Sequence, residues 1–321
     1  MKQMLVDLHC DTLLTLQHEN CTLENAPWHI NLEKLCSGGA LLQCFAAFIP
    51  MNENAVKHGV RDIPWDFFRK QAALFRRESQ AYPDRLAPVN SFSDIEKNHA
   101  KGLVSAMLTV EDGACIDGNM SRLQTMYDLG VRLITLTWNY ENCLGYPNSP
   151  DPAQHARGLK AFGLEALEEM GRLGIVVDVS HLSEGGFWDV ARENKKPFVA
   201  SHSCARALCD HSRNLTDEQL RAIGDRGCVC GVNFSAKFLR EGAKHATNED
   251  ILRHVAYVVD HAGIEAVALG SDFDGISCTL EMENYSGLAR LAEMIADRFG
   301  SGSAEKICSQ NALRVLRDVM R

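Results

Sequence analysis

No stretch of this 321-residue sequence approaches the roughly 18 consecutive apolar residues that a membrane-spanning helix needs. Positive charge is in deficit: 33 Lys and Arg against 42 Asp and Glu give a formal net charge of −9. The basic footprint of a nucleic-acid binder is therefore missing, as is any pull toward anionic lipid. The 12 cysteines include no CxxC pair, which excludes the usual zinc-ribbon and redox spacings. Cys228-Val229-Cys230 alternates within an apolar run, and Cys10, Cys44 and Cys115 sit in or beside others. These thiols read as small buried hydrophobes of a reducing compartment rather than a disulfide framework. No glycine-rich turn follows the first apolar run, which disfavours a dinucleotide-binding fold. No G-x-S-x-G occurs, so there is no serine nucleophile elbow. No repeat, low-complexity tract or linker divides the chain. Met1-Lys2-Gln3-Met4-Leu5-Val6 runs straight into the first apolar run and leaves no room for a secretion signal, so the expected location is the cytoplasm.

What is present is apolar bulk, 45% of residues, enough for a large core. Eight strand-like runs occur: Leu5–His9, Leu41–Ile49, Gly102–Val110, Val131–Thr137, Gly174–Ser180, Pro197–Ser201, Cys228–Asn233 and Ala266–Ser271. They are almost continuously apolar, as parallel strands buried on both faces must be. Helical periodicity fills the gaps, at Trp65–Tyr82, Met120–Leu129, Gly158–Leu173, Gly185–Glu193, Thr216–Arg226, Asn248–Ala262 and Ser286–Phe299. Thr216 with Gln219 forms a capping-box pattern, and Gly130, Gly174 and Gly263 fall where helices should stop. The alternation predicts an α/β protein, one (β/α)8 TIM barrel domain over residues 1–321. Extra length is concentrated near residues 50–101 and 138–157. The second stretch holds the turn-rich Gly145-Tyr146-Pro147-Asn148-Ser149-Pro150-Asp151-Pro152 and is placed to cover the barrel mouth as a lid.

In such a barrel the chemistry sits at the C-terminal ends of the strands. His9 and Asp11, two apart in an extended run, share a face at the end of strand one. Glu111 ends strand three, His181 strand five, His202 strand six and Asp272 strand eight. Each alone has a bland account, as a satisfied core histidine, a helix cap or a turn residue. Those accounts would have to hold independently at five strand ends. Three imidazoles and three carboxylates suit two divalent ions sharing a bridging carboxylate; mixed N/O donors favour zinc, with manganese, cobalt and iron as alternatives. The implied chemistry is hydrolysis by a metal-bridging hydroxide.

Asp7-Leu8-His9-Cys10-Asp11, Thr109-Val110-Glu111-Asp112-Gly113, Asp178-Val179-Ser180-His181, Ser201-His202-Ser203-Cys204-Ala205-Arg206, Arg213-Asn214 and Gly270-Ser271-Asp272-Phe273-Asp274-Gly275 resemble the membrane (renal) dipeptidase family of metallopeptidases. The resemblance continues to Asn311-Ala312-Leu313-Arg314-Val315-Leu316 and so covers essentially the whole chain. It implies an amidohydrolase-type barrel with two zinc ions, small dipeptide substrates and a homodimer. It also implies that His9, Asp11 and Asp272 hold one zinc and His181 and His202 the other, with Glu111 bridging. Asp272, touching both metal and water, becomes the acceptor of the nucleophile's proton. Arg213 has a separate rationale, since its guanidinium offers a bidentate fork to a dipeptide's terminal carboxylate. Arg206 is expected to begin the helix after strand six. One departure stands out: strand four ends Leu136-Thr137-Trp138-Asn139, where the animal dipeptidases resembled here carry a His after Leu-Thr. Trp138 offers one indole N–H but no proton shuttle. Related microbial sequences have Trp-Asn at this point, which implies a branch variant rather than an inactive one. Trp138 and Asn139 are thus candidate substrate-binding residues, and His155 in the lid segment a candidate helper. Two other readings stay open: a different amidohydrolase-type hydrolase (N-acyl-amino-acid hydrolase, lactonase or phosphotriesterase-like), or a barrel that binds without turnover.

Overall fold

The computed structural model describes residues 4–320; Met1, Lys2 and Gln3, part of the segment read as too short for a secretion signal, lie outside the described residues. Eight parallel strands close on themselves: β1 (Leu5–Asp7), β2 (Ala40–Phe48), β3 (Val104–Glu111), β4 (Val131–Thr135), β5 (Val176–Asp178), β6 (Val199–Ser203), β7 (Val229–Val232) and β8 (Val267–Leu269). β1 lies between β2 and β8, and β2 pairs with β3 from Leu42↔Ser105 to Phe48↔Glu111, which completes the ring. All eight predicted runs become barrel strands, so the α/β barrel expectation holds.

Alternation along the strands separates two apolar layers. Leu42 and Cys44 of β2, Met107 of β3, Leu133 of β4 and Val176 of β5 fill the inner cluster. Phe45 and Ala47 of β2, with Leu108 and Val110 of β3, face the cluster that underlies the surrounding helices. The final helix, Asn311–Val319, adds Ala312, Val315 and Leu316 to the inner cluster. Its Asn311 amide donates to the Ile264 and Val267 carbonyls at the entry to β8. This helix therefore plugs the end of the barrel opposite the strand C-termini.

Gly174 ends the helix Ala161–Leu173 in the left-handed conformation, φ 85°, which only glycine adopts freely. The Thr216–Gln219 capping box forms as predicted, ahead of the helix Asp217–Asp225. At β6, β7 and β8 the backbones approach closely: a Cβ on Gly231 or Gly270 would lie 2.1 or 1.8 Å from the Ser201 carbonyl oxygen.

The 50–101 stretch holds helices Asn52–Lys57, Pro64–Ala81 and Phe92–Ala100, plus a short strand, Leu86–Pro88, beside the start of β3. The 138–157 stretch is pinned rather than free. Asn148 N donates to the His181 carbonyl at 2.7 Å, Ser183 N donates to Tyr146 O, and Pro147 bridges Leu182. Arg206 does not begin a helix; it lies in a turn where Ala205 bridges Leu215, and the next helix starts at Asp217. Eight of the twelve cysteines are buried and Cys36 is exposed. No helix among the described residues is long and apolar enough to cross a membrane.

Candidate metal centre

The six predicted ligand residues converge at the C-terminal mouth of the barrel. Glu111 sits at the centre. Its Oε2 lies 3.6 Å from His9 Nε2, while its Oε1 lies 3.0 Å from His181 Nε2 and 3.5 Å from His202 Nε2. Asp11 Oδ2 and Asp272 Oδ1 approach His9 Nε2 at 3.4 and 4.0 Å. Two groups offer ligand atoms within 4.8 Å of one another, His9–Glu111–His202 and His9–Asp11–Asp272. One carboxylate thus turns an oxygen toward each half of the cluster.

Neighbouring strands hold this arrangement. The buried Asp178 of β5 accepts from Ser180 N, Ser201 N, Ser201 Oγ and Thr135 Oγ1. Asp7 of β1 does the same for β8, accepting from Ser271 N at 2.8 Å and Ser271 Oγ at 2.6 Å. Each clamped serine immediately precedes a cluster residue, His202 or Asp272. Asp112, His181, Asp272 and Asp274 all adopt left-handed backbone, with φ of 61° to 76°. Such a conformation costs on the order of 1–3 kcal/mol per non-glycine residue and persists only where surroundings fix it. At Gly275 a Cβ would stand 2.0 Å from Asp11 Oδ2, so glycine there lets the carboxylates close up.

The hydrogen-bond network assigns the imidazole tautomers. Ser201 Oγ donates to Asp178, so it accepts from His202 Nδ1 at 2.7 Å. Asn139 Oδ1 accepts from His181 Nδ1 at 3.3 Å. Both Nε2 atoms are then unprotonated, and they face each other at 3.0 Å beside Glu111 Oε1. Burial, together with the charges of Arg213 and His9, holds both imidazoles well below their usual range and hence neutral. Burial and the adjacent Asp11 charge push the Glu111 carboxyl upward, and burial does the same to Asp272. For His9 burial opposes the charge, yet Glu111 and Asp11 outweigh it and draw the proton on. His9 Nε2 and Asp11 Oδ1 are buried without a hydrogen-bond partner. Converging lone pairs, crowded carboxylates and orphaned polar atoms are what a divalent cation relieves, so the residues present fit a metal site.

The cluster opens into a cavity of ≈ 810 Å³ lined by Trp138, Asn139, Arg213, Lys237 and Phe238. Arg213 is buried; its guanidinium donates to Ser203 Oγ at 2.7 Å and to the His202 carbonyl at 2.8 Å, leaving Nε without a partner. Trp138 packs edge-on against Phe48 with centroids 5.0 Å apart. His155 is not brought to this cavity: it lines a neighbouring cleft, where Arg206 donates to its Nε2 at 3.2 Å. The sequence reading misses Asn54, Lys57 and His58 of the first insertion, and Lys237 and Phe238 beyond β7. The last two follow a strand end, the same signal that marks His181 and Asp272.

Comparison with known proteins finds similar chains. A protein from Klebsiella pneumoniae of no stated activity is 37% identical over 266 residues, covering 80% of this chain and 97% of its own. Dipeptidase aclJ of Aspergillus oryzae is 31% identical, over 90% of this chain and 70% of its own. A solved metallopeptidase from Rhodobacter sphaeroides, bound to a phosphinate mimic of L-Ala-D-Ala, superposes with TM-score 0.89 at 27% identity, covering 99% of this chain and 100% of its own. A solved dipeptidase described as a metallopeptidase of family M19 gives TM-score 0.88 at 28% identity, over 100% and 99% of the two chains. The family pattern of membrane dipeptidases (peptidase family M19) matches residues 1–321, and with a ligand cluster to suit it this chain belongs to that metallopeptidase family.

Proposed function

We propose that the chain is a binuclear metal-dependent dipeptidase acting on small dipeptides. His9, Asp11 and Asp272 would hold one ion and His181 and His202 the other, with Glu111 shared. The donor set favours zinc, with manganese, cobalt or iron as alternatives. The observation that carries the reading is the pair of unprotonated Nε2 atoms of His181 and His202, facing each other beside one Glu111 oxygen while the other oxygen faces His9. When bound, such ions supply Lewis acidity, lowering the pKa of a water and polarising the scissile carbonyl.

The chain's own residues do the rest. Arg213 Nε is the buried donor left over for a substrate's terminal carboxylate. Asn233 donates to Asp272 Oδ2 at 2.9 Å and orients the carboxylate that would accept the attacking water's proton. Asn139 steadies His181, and Trp138 forms the wall over the reacting centre. The same reading takes residues 1–321 as one barrel domain working in the cytoplasm, to which its buried thiols are suited. It expects neither a nucleic-acid nor a membrane partner. The metallopeptidase complexed with a dipeptide mimic supports the substrate class.

The test is a panel of L-Xaa-L-Xaa and L-Xaa-D-Ala dipeptides on enzyme whose bound metal has been quantified. Hydrolysis is expected with close to two metals per chain. Glu111→Ala should abolish it and drop bound metal well below two. If both survive the substitution, the bridging assignment is wrong.

A further inference from the structure

Charge is distributed unevenly around the cavity. Of its lining carboxylates, Asp11, Glu111 and Asp272 belong to the metal cluster. Asp274 is engaged by Thr12 Oγ1 at 2.6 Å and by His29 N at 2.8 Å. Asp210 is left, on the outer lip shared with the neighbouring cleft. Against it stand Arg213, Lys237 and Lys57. Arg213 and Lys237 both approach one aromatic ring: the Arg213 Cζ is 5.8 Å and the Lys237 Nζ 4.6 Å from the Phe238 centroid. His211 packs edge-on against the same ring at 4.9 Å. Burial first, then the Lys237 charge, pushes the His211 imidazole below its usual range, so the ammonium is felt on this wall. Lys237 is exposed and makes no ion pair among the described residues.

We infer that Lys237 is a specificity-determining residue that selects dipeptides with an acidic side chain on the C-terminal residue. This rests on the dipeptidase reading, in which Arg213 takes the terminal α-carboxylate. A second carboxylate on that same residue would lie beside the Phe238 ring, which the Lys237 ammonium also approaches. A neutral side chain leaves Lys237 unpaired and gains nothing from it. A charge-assisted contact of this kind corresponds to a preference of roughly tenfold to a hundredfold in kcat/KM.

The experiment compares each acid with its isosteric amide, L-Ala-Glu against L-Ala-Gln and L-Ala-Asp against L-Ala-Asn, with both configurations at the C-terminal residue, on metal-loaded enzyme. The wild type is expected to favour the acid by at least tenfold. Lys237→Met should collapse the acid-to-amide ratio toward one, Lys237→Arg should retain it, and added salt should shrink it. Equal kcat/KM for acid and amide in the wild type overturns the inference. So does a Lys237→Met enzyme that loses both substrates in equal proportion, because the lysine would then be serving the α-carboxylate common to both. Absence of hydrolysis of any dipeptide, with metal bound, overturns the dipeptidase reading itself and this inference with it.

Discussion

Arg213 shows how one side chain can carry two loads. Two of its donors tie down the His202 carbonyl and Ser203 Oγ, and its Nε is buried with no partner. Arg213→Ala is therefore expected to raise KM for dipeptides and to lower kcat/KM by roughly tenfold to a hundredfold, the worth of a charged hydrogen bond. Bound metal, measured on the same preparation, separates the two loads. A KM rise with metal retained reports the substrate contact, whereas loss of metal reports the lost support of β6. Lactonase or phosphotriesterase-like chemistry, which needs no α-carboxylate grip, predicts unchanged kinetics. Gly275 is the opposite case, functional through what it lacks, since any side chain would displace the Asp11 and Asp272 carboxylates.

At the scale of elements, the helix Asn248–Ala262 is tied inward by His254. Its Nδ1 accepts from Ala205 N at 3.1 Å and its Nε2 donates to the Leu239 carbonyl at 2.9 Å. Burial holds this imidazole below its usual range, so it is neutral when folded. A depressed folded-state pKa means the unfolded chain takes the proton first. The contribution of His254 is thus whole above about 6.5 and is lost as pH falls through the folded value. The urea midpoint should drop on acidification from about pH 7 toward 5, and His254→Gln should flatten part of that slope. Identical slopes would remove His254 from the acid response. The strands themselves are legible in the sequence because two-sided burial demands continuous apolar runs. Their lengths are not: Gly174–Ser180 contracts to Val176–Asp178 as the chain turns toward the left-handed His181. Likewise the helix predicted from Gly158 starts at Ala161. Leu159 N is drawn to Asp189 Oδ2 and Lys160 N to the Leu144 carbonyl, partners too distant in sequence for periodicity to reveal. The six candidate ligand residues can be read because each follows or ends an apolar run. The roles of Asn139 and Arg213 in steadying His181 and His202 cannot, since they depend on contacts between loops.

For the whole molecule, the cluster gathers residues from the ends of β1, β3, β5, β6 and β8, so a bound ion fastens strands far apart in the chain. A ligand that binds only the folded state stabilises it by about 2.7 kcal/mol at a hundred times its Kd. In a chain of 321 residues that corresponds to a Tm about 4 °C higher for metal-loaded than for chelator-stripped protein, at about 1.5 °C per kcal/mol. Scanning calorimetry before and after chelation measures it, and superimposed traces would show that the ions do not join the strands.

The near-contact of Gly231 and Gly270 with the Ser201 carbonyl divides the molecule into territories of unequal freedom. Where β6, β7 and β8 meet there is no volume for even a methyl group, so mutational drift is blocked at two positions that touch no ligand. The rim carrying Lys57 and Lys237 is exposed and faces no such steric veto. New substrate preferences can therefore be tried at the edge while the machinery beneath is inherited unchanged.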